Sequence, residues 1–228
     1  VGGGRQGATG RPYATVFGCT GENGADKGTA GGAGLLHSTG AGAITLWGDI
    51  TASGGNTTAG TNDGGDGGVI TVRNDSGSIL IDDVTATGGT SAGGTAGADG
   101  TIQLSATTTI AQQAATDITA ADGNLKLVST GGDVTLNNVT NTVAIVAADL
   151  TGASSLSYTD ADGLSIGMIA QAGTGNAQLA AETGIVATGA DETVTVTSLT
   201  GQLTVDDVIT TASGNVELMA TAGALLID

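Results

Sequence analysis

Two adjacent aspartates, Asp82 and Asp83, lie in the stretch SILIDDVTATGG, and a near copy, QLTVDDVITTASG, carries Asp206 and Asp207. Paired carboxylates can hold a metal ion or exchange protons with a substrate. The same place in other segments reads Asn137-Asn138 and, more loosely, Gly48-Asp49 and Thr116-Asp117. Asn-Asn cannot do the proton chemistry of Asp-Asp. What Asp, Asn and Gly share is tolerance of turn geometry, and Asp and Asn also bond nearby backbone amides. The pairs therefore read as corners of a repeat rather than as catalytic dyads.

Other candidate chemistry is thin. GGTAGADGTI (93–102) approaches the glycine–aspartate nonapeptide that binds calcium in one class of β-helix, but its spacing is one residue off and it has no tandem copy. Asp63 and Asp66 in TNDGGDGG, together with Asp99, are the weak calcium candidates; no other cofactor or metal is expected. The single histidine, His37, reads as a loop residue, and the single cysteine, Cys19, as a buried thiol that cannot form an internal disulfide. Carbohydrate-cleaving β-helices need carboxylates beside Arg or Lys on one outer face. Here only Arg73 and Lys126 fall within the repeats, neither next to a carboxylate cluster, so no enzymatic activity is expected. Sequons at Asn56, Asn74 and Asn138 are candidate glycan acceptors.

The elements that position these residues follow from periodicity. Short triplets recur: Ile44-Leu46, Ile70-Val72, Ile102-Leu104, Leu125-Leu127, Val143-Ile145, Ala177-Leu179, Val194-Val196 and Val216-Leu218. Each is apolar at its two ends, so in a strand the ends face a core and the middle residue faces solvent. The middle residues are Thr45, Thr71, Gln103, Lys126, Ala144, Gln178, Thr195 and Glu217, polar except for Ala144. An outward threonine array suited to ice is broken by Gln103, Lys126, Gln178 and Glu217. A second strand starts seven residues on, at Ile79, Val134, Leu203 and Leu225, and a third apolar residue follows the corner at Val84, Val139 and Val208. Asp49, Asp83 and Asp117 are 34 residues apart, whereas Asn138 follows after 21. Insertions 56–68 and 90–100 account for the difference, and both leave the repeat at one place.

Composition agrees. The 228 residues include 42 glycines, 2% aromatics and one proline, so a core must be built from Val, Ile, Leu and Ala. The expected fold is all-β: a right-handed parallel β-helix (β-solenoid) with coils of about 21 residues and glycine-rich loop insertions. Residues 43–228 form it and continue beyond the chain; residues 143–192 fit least well and should hold irregular coils or a bulge. Residues 1–42, rich in glycine and holding Tyr13 and Phe17, are an atypical coil, a cap or an interface segment, with Trp47 a further plug for the end.

Segments such as GDITASGG, GSILIDDVTATGG and GNLKLVSTGGDVTLNNVT resemble the repeats of filamentous-haemagglutinin-like exoproteins and large repetitive bacterial surface adhesins. The resemblance covers about residues 42–228. It implies a secreted, rod-like structural protein at the cell surface, engaged in adhesion, biofilm or matrix. The net charge of -17 repels nucleic acid and anionic membranes, and no apolar run is long enough to span a bilayer. The partners expected are further copies of the chain or neighbouring coils of a larger one, with surface glycans or cells as targets. The alternative is a filament subunit that stacks end to end; a carbohydrate-active enzyme is the least favoured reading.

Overall fold

The computed structural model describes residues 13–14, 17–18, 28–152, 154–175 and 178–228. Its strands, numbered in chain order, fall into three ladders. The first holds β1 (Tyr13–Ala14), β4 (Ile44–Leu46), β7 (Ile79–Ile81), β10 (Ile110–Gln112), β12 (Val134–Leu136), β14 (Leu156–Asp160), β19 (Thr193–Ser198) and β22 (Asn215–Ala220). The second holds β2 (Phe17–Gly18), β5 (Ile50–Thr51), β8 (Val84–Thr85), the starts of β11 (Ile118–Ser129) and β13 (Thr142–Leu150), β15 (Leu164–Ile166), β20 (Leu203–Val205) and β23 (Leu225–Ile227). The third holds β3 (Gly34–Ser38), β6 (Val69–Asn74), β9 (Thr101–Ala106), the ends of β11 and β13, β18 (Ile185–Ala187) and β21 (Ile209–Thr211). Only β16 (Met168–Ile169) and β17 (Glu182–Thr183) stand outside the ladders.

The chain visits the three ladders in a fixed cycle, and every ladder pairing is parallel. This is an all-β parallel solenoid, with no α-helix among the described residues. Each strand finds its partner one coil away, so apolar residues stack in columns. Ile44, Ile79, Ile110, Val134, Leu156 and Val194 make one such column, and Ile70, Ile102, Leu125 and Val146 another; all are buried. The period-two pattern thus places the ends of the triplets 44–46, 70–72, 102–104, 125–127 and 194–196 in the core as expected, whereas Ile145 is half-buried, Leu179 lies in an antiparallel bridge outside the ladders, and Val216 is 44% exposed.

Three readings need correction. First, the triplets do not all belong to one ladder. The seven-residue step from Val72 to Ile79 runs from the third ladder to the first, but the step from Val196 to Leu203 runs from the first to the second. SILIDDV and QLTVDDV are therefore at different corners. One turn chemistry serves both, because each corner asks only for a tight polar link. Second, Leu125 stacks on Val146, not Val143; a register shift in β11 between Ala120 and Asn124 moves the pairing, and Val143 faces Ala120. Third, the apolar residue after the corner is buried at Val84 but 62% exposed at Val139 and 66% at Val208. Ala177 lies outside the described residues.

The insertions are not loose loops. Gly54 and Thr57 donate their amides to the carbonyls of Thr87 and Thr90, Gly64 and Gly67 to those of Thr95 and Ala98, and Gly28 and Gly31 to those of Asp63 and Asp66. Within each insertion the chain also bonds to itself: Gly65 and Gly68 to Gly55 and Ala52, Gly97 and Gly100 to Gly89 and Ala86. Donors recur every third residue, the repeat of an extended three-residue-per-turn helix. Segments packed this way leave no room for side chains at the contacts. A Cβ on Gly65 would land on the Thr29 carbonyl oxygen, and one on Gly97 on that of Gly65. Glycine is needed here for space, as at the axis of collagen.

A third insertion, residues 167–184, leaves at the same corner between β15 and β18. It forms an antiparallel hairpin in which Met168 pairs with Thr183 and Ile169 with Glu182, with a further bridge from Ala172 to Leu179. It lies in the stretch 143–192. Strands β1, β2 and β3 follow the same first, second, third order as later coils.

Candidate functional site

The hairpin covers part of the outer face of the third ladder, and this is where polar chemistry collects. Lys126 is the middle residue of its triplet and points away from the core. Yet Lys126 and Gln103 are 0% exposed and Thr71 is 1% exposed. The expectation that these side chains meet water is corrected by the hairpin laid over them. Lys126 Nζ donates to the main-chain carbonyls of Ala170 at 3.1 Å and Ala180 at 2.5 Å, one on each arm. Gln103 Nε2 donates to the carbonyl of Ala172 and to Thr71 Oγ1, each at 3.2 Å. Ile169 and Leu179 are buried beneath the hairpin, outside the main core.

Electrostatics in this strip follow from burial. Desolvation lowers the Lys126 pKa, and the Glu182 charge partly opposes it. Desolvation, then the Asp149 charge, raises Glu182, while Lys126 pulls it down. Burial alone raises Asp149. With its ammonium held by two carbonyls and closed off from solvent, Lys126 is unavailable as a nucleophile or base. The arrangement is a clasp: one cation ties both arms of the hairpin to the sheet. Gln103 Oε1 is buried there without a hydrogen-bond partner.

The calcium candidates have other occupations. Asp63 Oδ1 accepts the Thr95 amide at 2.8 Å, and Asp66 Oδ1 the Ala98 amide at 2.9 Å. Asp99 accepts from Gly88 at 2.6 Å and Asp122 at 3.0 Å. Spaced by three, Asp63 and Asp66 extend the period-three bonding to the next insertion. Replacing Asp63 with alanine should cost about 1 kcal/mol and asparagine, which keeps an acceptor, less than half of that. Urea melts with and without calcium check this; a calcium-dependent shift lost in both variants would restore the metal reading.

The corner acids of neighbouring coils do meet. Asp49, Asp82 and Asp83 bring carboxylate oxygens within 4.8 Å of one another, the one such acidic group among the described residues. Asp83 Oδ1 accepts the Asp117 amide of the next coil at 2.6 Å, and Asp82 Oδ1 accepts the amide of Asp83 at 3.1 Å. These aspartates cap main-chain donors along the ridge, as the corner reading requires. Asn138 instead caps main-chain acceptors, its side-chain amide donating to the carbonyls of Gln113 and Thr116.

His37 is not a loop residue: it sits in β3, with Nε2 2.8 Å from Asp75 Oδ2, and Arg73 Nε is 2.5 Å from the other oxygen. Their hydrogen bonds, His37 first, hold the Asp75 carboxyl below the ordinary range. Arg73 and Lys126, the two described cations, thus both have carboxylate neighbours. Among the sequons, Asn74 is 1% exposed and bonded to the carbonyls of Gly42 and Ser78, whereas Asn56 is exposed. Trp47, 66% exposed, does not plug the core. The side chains of Tyr13 and Phe17, and all of Cys19, lie outside the described residues.

Sequence reasoning missed the clasp and one further buried group, Asp160, which bonds Tyr158 in the core. Both lie in or against residues 143–192, where the departure from the repeat was the available signal. No helix among the described residues is long and apolar enough to cross a membrane. No protein-family model, curated protein or solved structure matches the chain.

Proposed function

We propose that the chain is a structural segment of an extracellular bacterial surface fibre or adhesin, serving attachment, biofilm or matrix, and that it catalyses no reaction. The observation that supports this reading most is the unbroken three-ladder cycle. Its conspicuous polar groups (the corner aspartates, the insertion aspartates and Lys126) hold coils, insertions and hairpin in place. A stiff rod with ordered glycine-rich layers suits a spacer or presenting stalk. In this reading the solenoid winds right-handed, as parallel crossovers overwhelmingly do. The bare coil is about 21 residues, in keeping with register steps from 20 (Ile145 to Ser165) to 24 (Ile185 to Ile209). The net charge of -17 favours solubility and self-repulsion outside the cell. The test is labelling of intact cells with antibodies raised against residues 43–228, before and after external protease. Surface signal lost on proteolysis supports the reading; signal only after lysis ends it.

A second reading is a subunit that stacks end to end. It draws on the parallel pairing of each coil with the next, a geometry in which a coil of one copy can continue the ladders of another. Sedimentation as one monomeric species at high concentration would remove this alternative.

A further inference from the structure

The coil that contains β14 holds a carboxyl pair, Asp160 buried and Asp162 half-buried, that the rod itself does not need. Asp160 closes β14 at an inward position, in register with the buried Ser198 of β19, and is 0% exposed. Its Oδ2 accepts the Tyr158 hydroxyl at 2.8 Å and the Val143 amide at 3.0 Å, and its Oδ1 the Asp162 amide at 3.1 Å. The Asp162 carboxyl reaches back to that of Asp160, and its Oδ1 is buried without a donor. Two ionised carboxylates in contact repel, and a buried acceptor without a donor is costly. A single proton between the two acids removes both problems at once, because it supplies the missing donor.

We propose that Asp160 and Asp162 form a proton-operated latch on the coil of residues 141–163, closed while they share one proton and loosened when that proton leaves. The groups facing Asp160 bring neutral donors and no cation, and those donors favour the ionised form without outweighing burial. From β14 comes Tyr158, whose hydroxyl stays protonated because burial and the two acids push its pKa well up. From β13 comes the Val143 amide. The partner of Asp160 in β19 is Ser198, whose hydroxyl donates to the Asp162 carbonyl. Asn141, on the preceding coil, is uncharged and accepts the Ala161 amide at its carbonyl. No Lys, Arg or His contributes. Burial, then the Asp162 carboxyl, raises Asp160 to about 7.

The sign follows. A carboxyl with a raised pKa in the closed coil binds more protons there than in the open coil, so closure weakens as pH rises from about 4 to 7. Above the closed-state midpoint both states are deprotonated, and closure weakens no further. Between pH 6 and 8 closure should fall about tenfold.

The experiment is an NMR titration of the aspartate carboxyl carbons, paired with amide hydrogen exchange at Val143 and Asp162 at pH 6 and 8. We expect an Asp160 midpoint near 7 and about a tenfold loss of protection at pH 8, after correction for the intrinsic exchange rate. In D160N the new amide donates permanently to Asp162, so protection should become independent of pH. In D162N the like charge is gone, and the Asp160 midpoint should drop by a unit or more. A midpoint near 4 in the unsubstituted protein, or equal protection at both pH values, overturns the latch. The unsubstituted protein decides the matter even if D160N does not fold.

Discussion

Replacing Gly97 with alanine will dissolve the glycine-rich layer and leave the three ladders standing. The added Cβ would fall on the Gly65 carbonyl oxygen, closer than a real Cβ approaches any atom. Gly65 is main chain, so no flexible side chain can move aside. The two insertions must separate, and the bonds from Gly64 to Thr95, Gly67 to Ala98 and Gly89 to Gly65 go with them. The cost should reach about 3 kcal/mol, the upper end of ordinary overpacking. The loss stays local, because no inward column runs through the insertions. Amide exchange checks this: Gly64, Gly67 and Gly89 should lose protection, while Ile102 and Leu104 in β9 keep theirs. Gly34→Ala is the control, since a Cβ there meets nothing within 4 Å. Retained protection in Gly97→Ala would mean that the layer is held by something other than close main-chain packing.

Period-two alternation was enough to read strands such as β4, β6, β9 and β19, and turn chemistry enough to read the corners, but β10, β14, β15 and β18 went unread and the 177–179 triplet is no ladder strand. The ladder a given strand joins was not legible. An apolar triplet carries no mark of which face it lines, and Asp-Asp closes the corner after Ile81 as well as the one after Val205. The long-range register depends on how many residues each insertion absorbs and on local slips such as the one in β11, which a repeat count cannot see. The insertions were visible as insertions. Their order was hidden because the repeat that organises them has period three, so Asp63 and Asp66 looked like ion ligands in a mobile loop.

The candidate site was less legible still, for a physical reason. Alternation tells inside from outside of a sheet, but not whether the outside is wet. Gln103 and Lys126 read as solvent-facing, and are outward, yet residues 167–184 cover them from a distant part of the sequence. Asp160 escaped for the opposite reason: it sits at an inward position, where an acid is unexpected without a partner, and its partners are Tyr158 and Asp162.

The Lys126→Met variant will free the hairpin while the solenoid stays folded. Methionine keeps most of the apolar stem but removes the three ammonium donors. The carbonyls of Ala170 and Ala180 then lose their partner against a buried surface, at about 1–3 kcal/mol for each orphaned group. Glu182 also loses the Lys126 charge that pulls its pKa down, and it is already raised by burial. The hairpin has an escape that a core residue lacks: it can lift off and let water reach the carbonyls. The penalty is therefore capped by the docking free energy of the hairpin. The expected result is rapid cleavage within residues 170–181 by a dilute protease, with nearly unchanged protection in β11 and β13. Gln103→Ala should do much less, because only one of its two long bonds reaches the hairpin and the substitution also removes the buried oxygen that has no partner. A hairpin that resists cleavage in Lys126→Met would mean that Ile169 and Leu179 hold it by apolar contact alone, and that the buried ammonium is a passenger rather than the clasp.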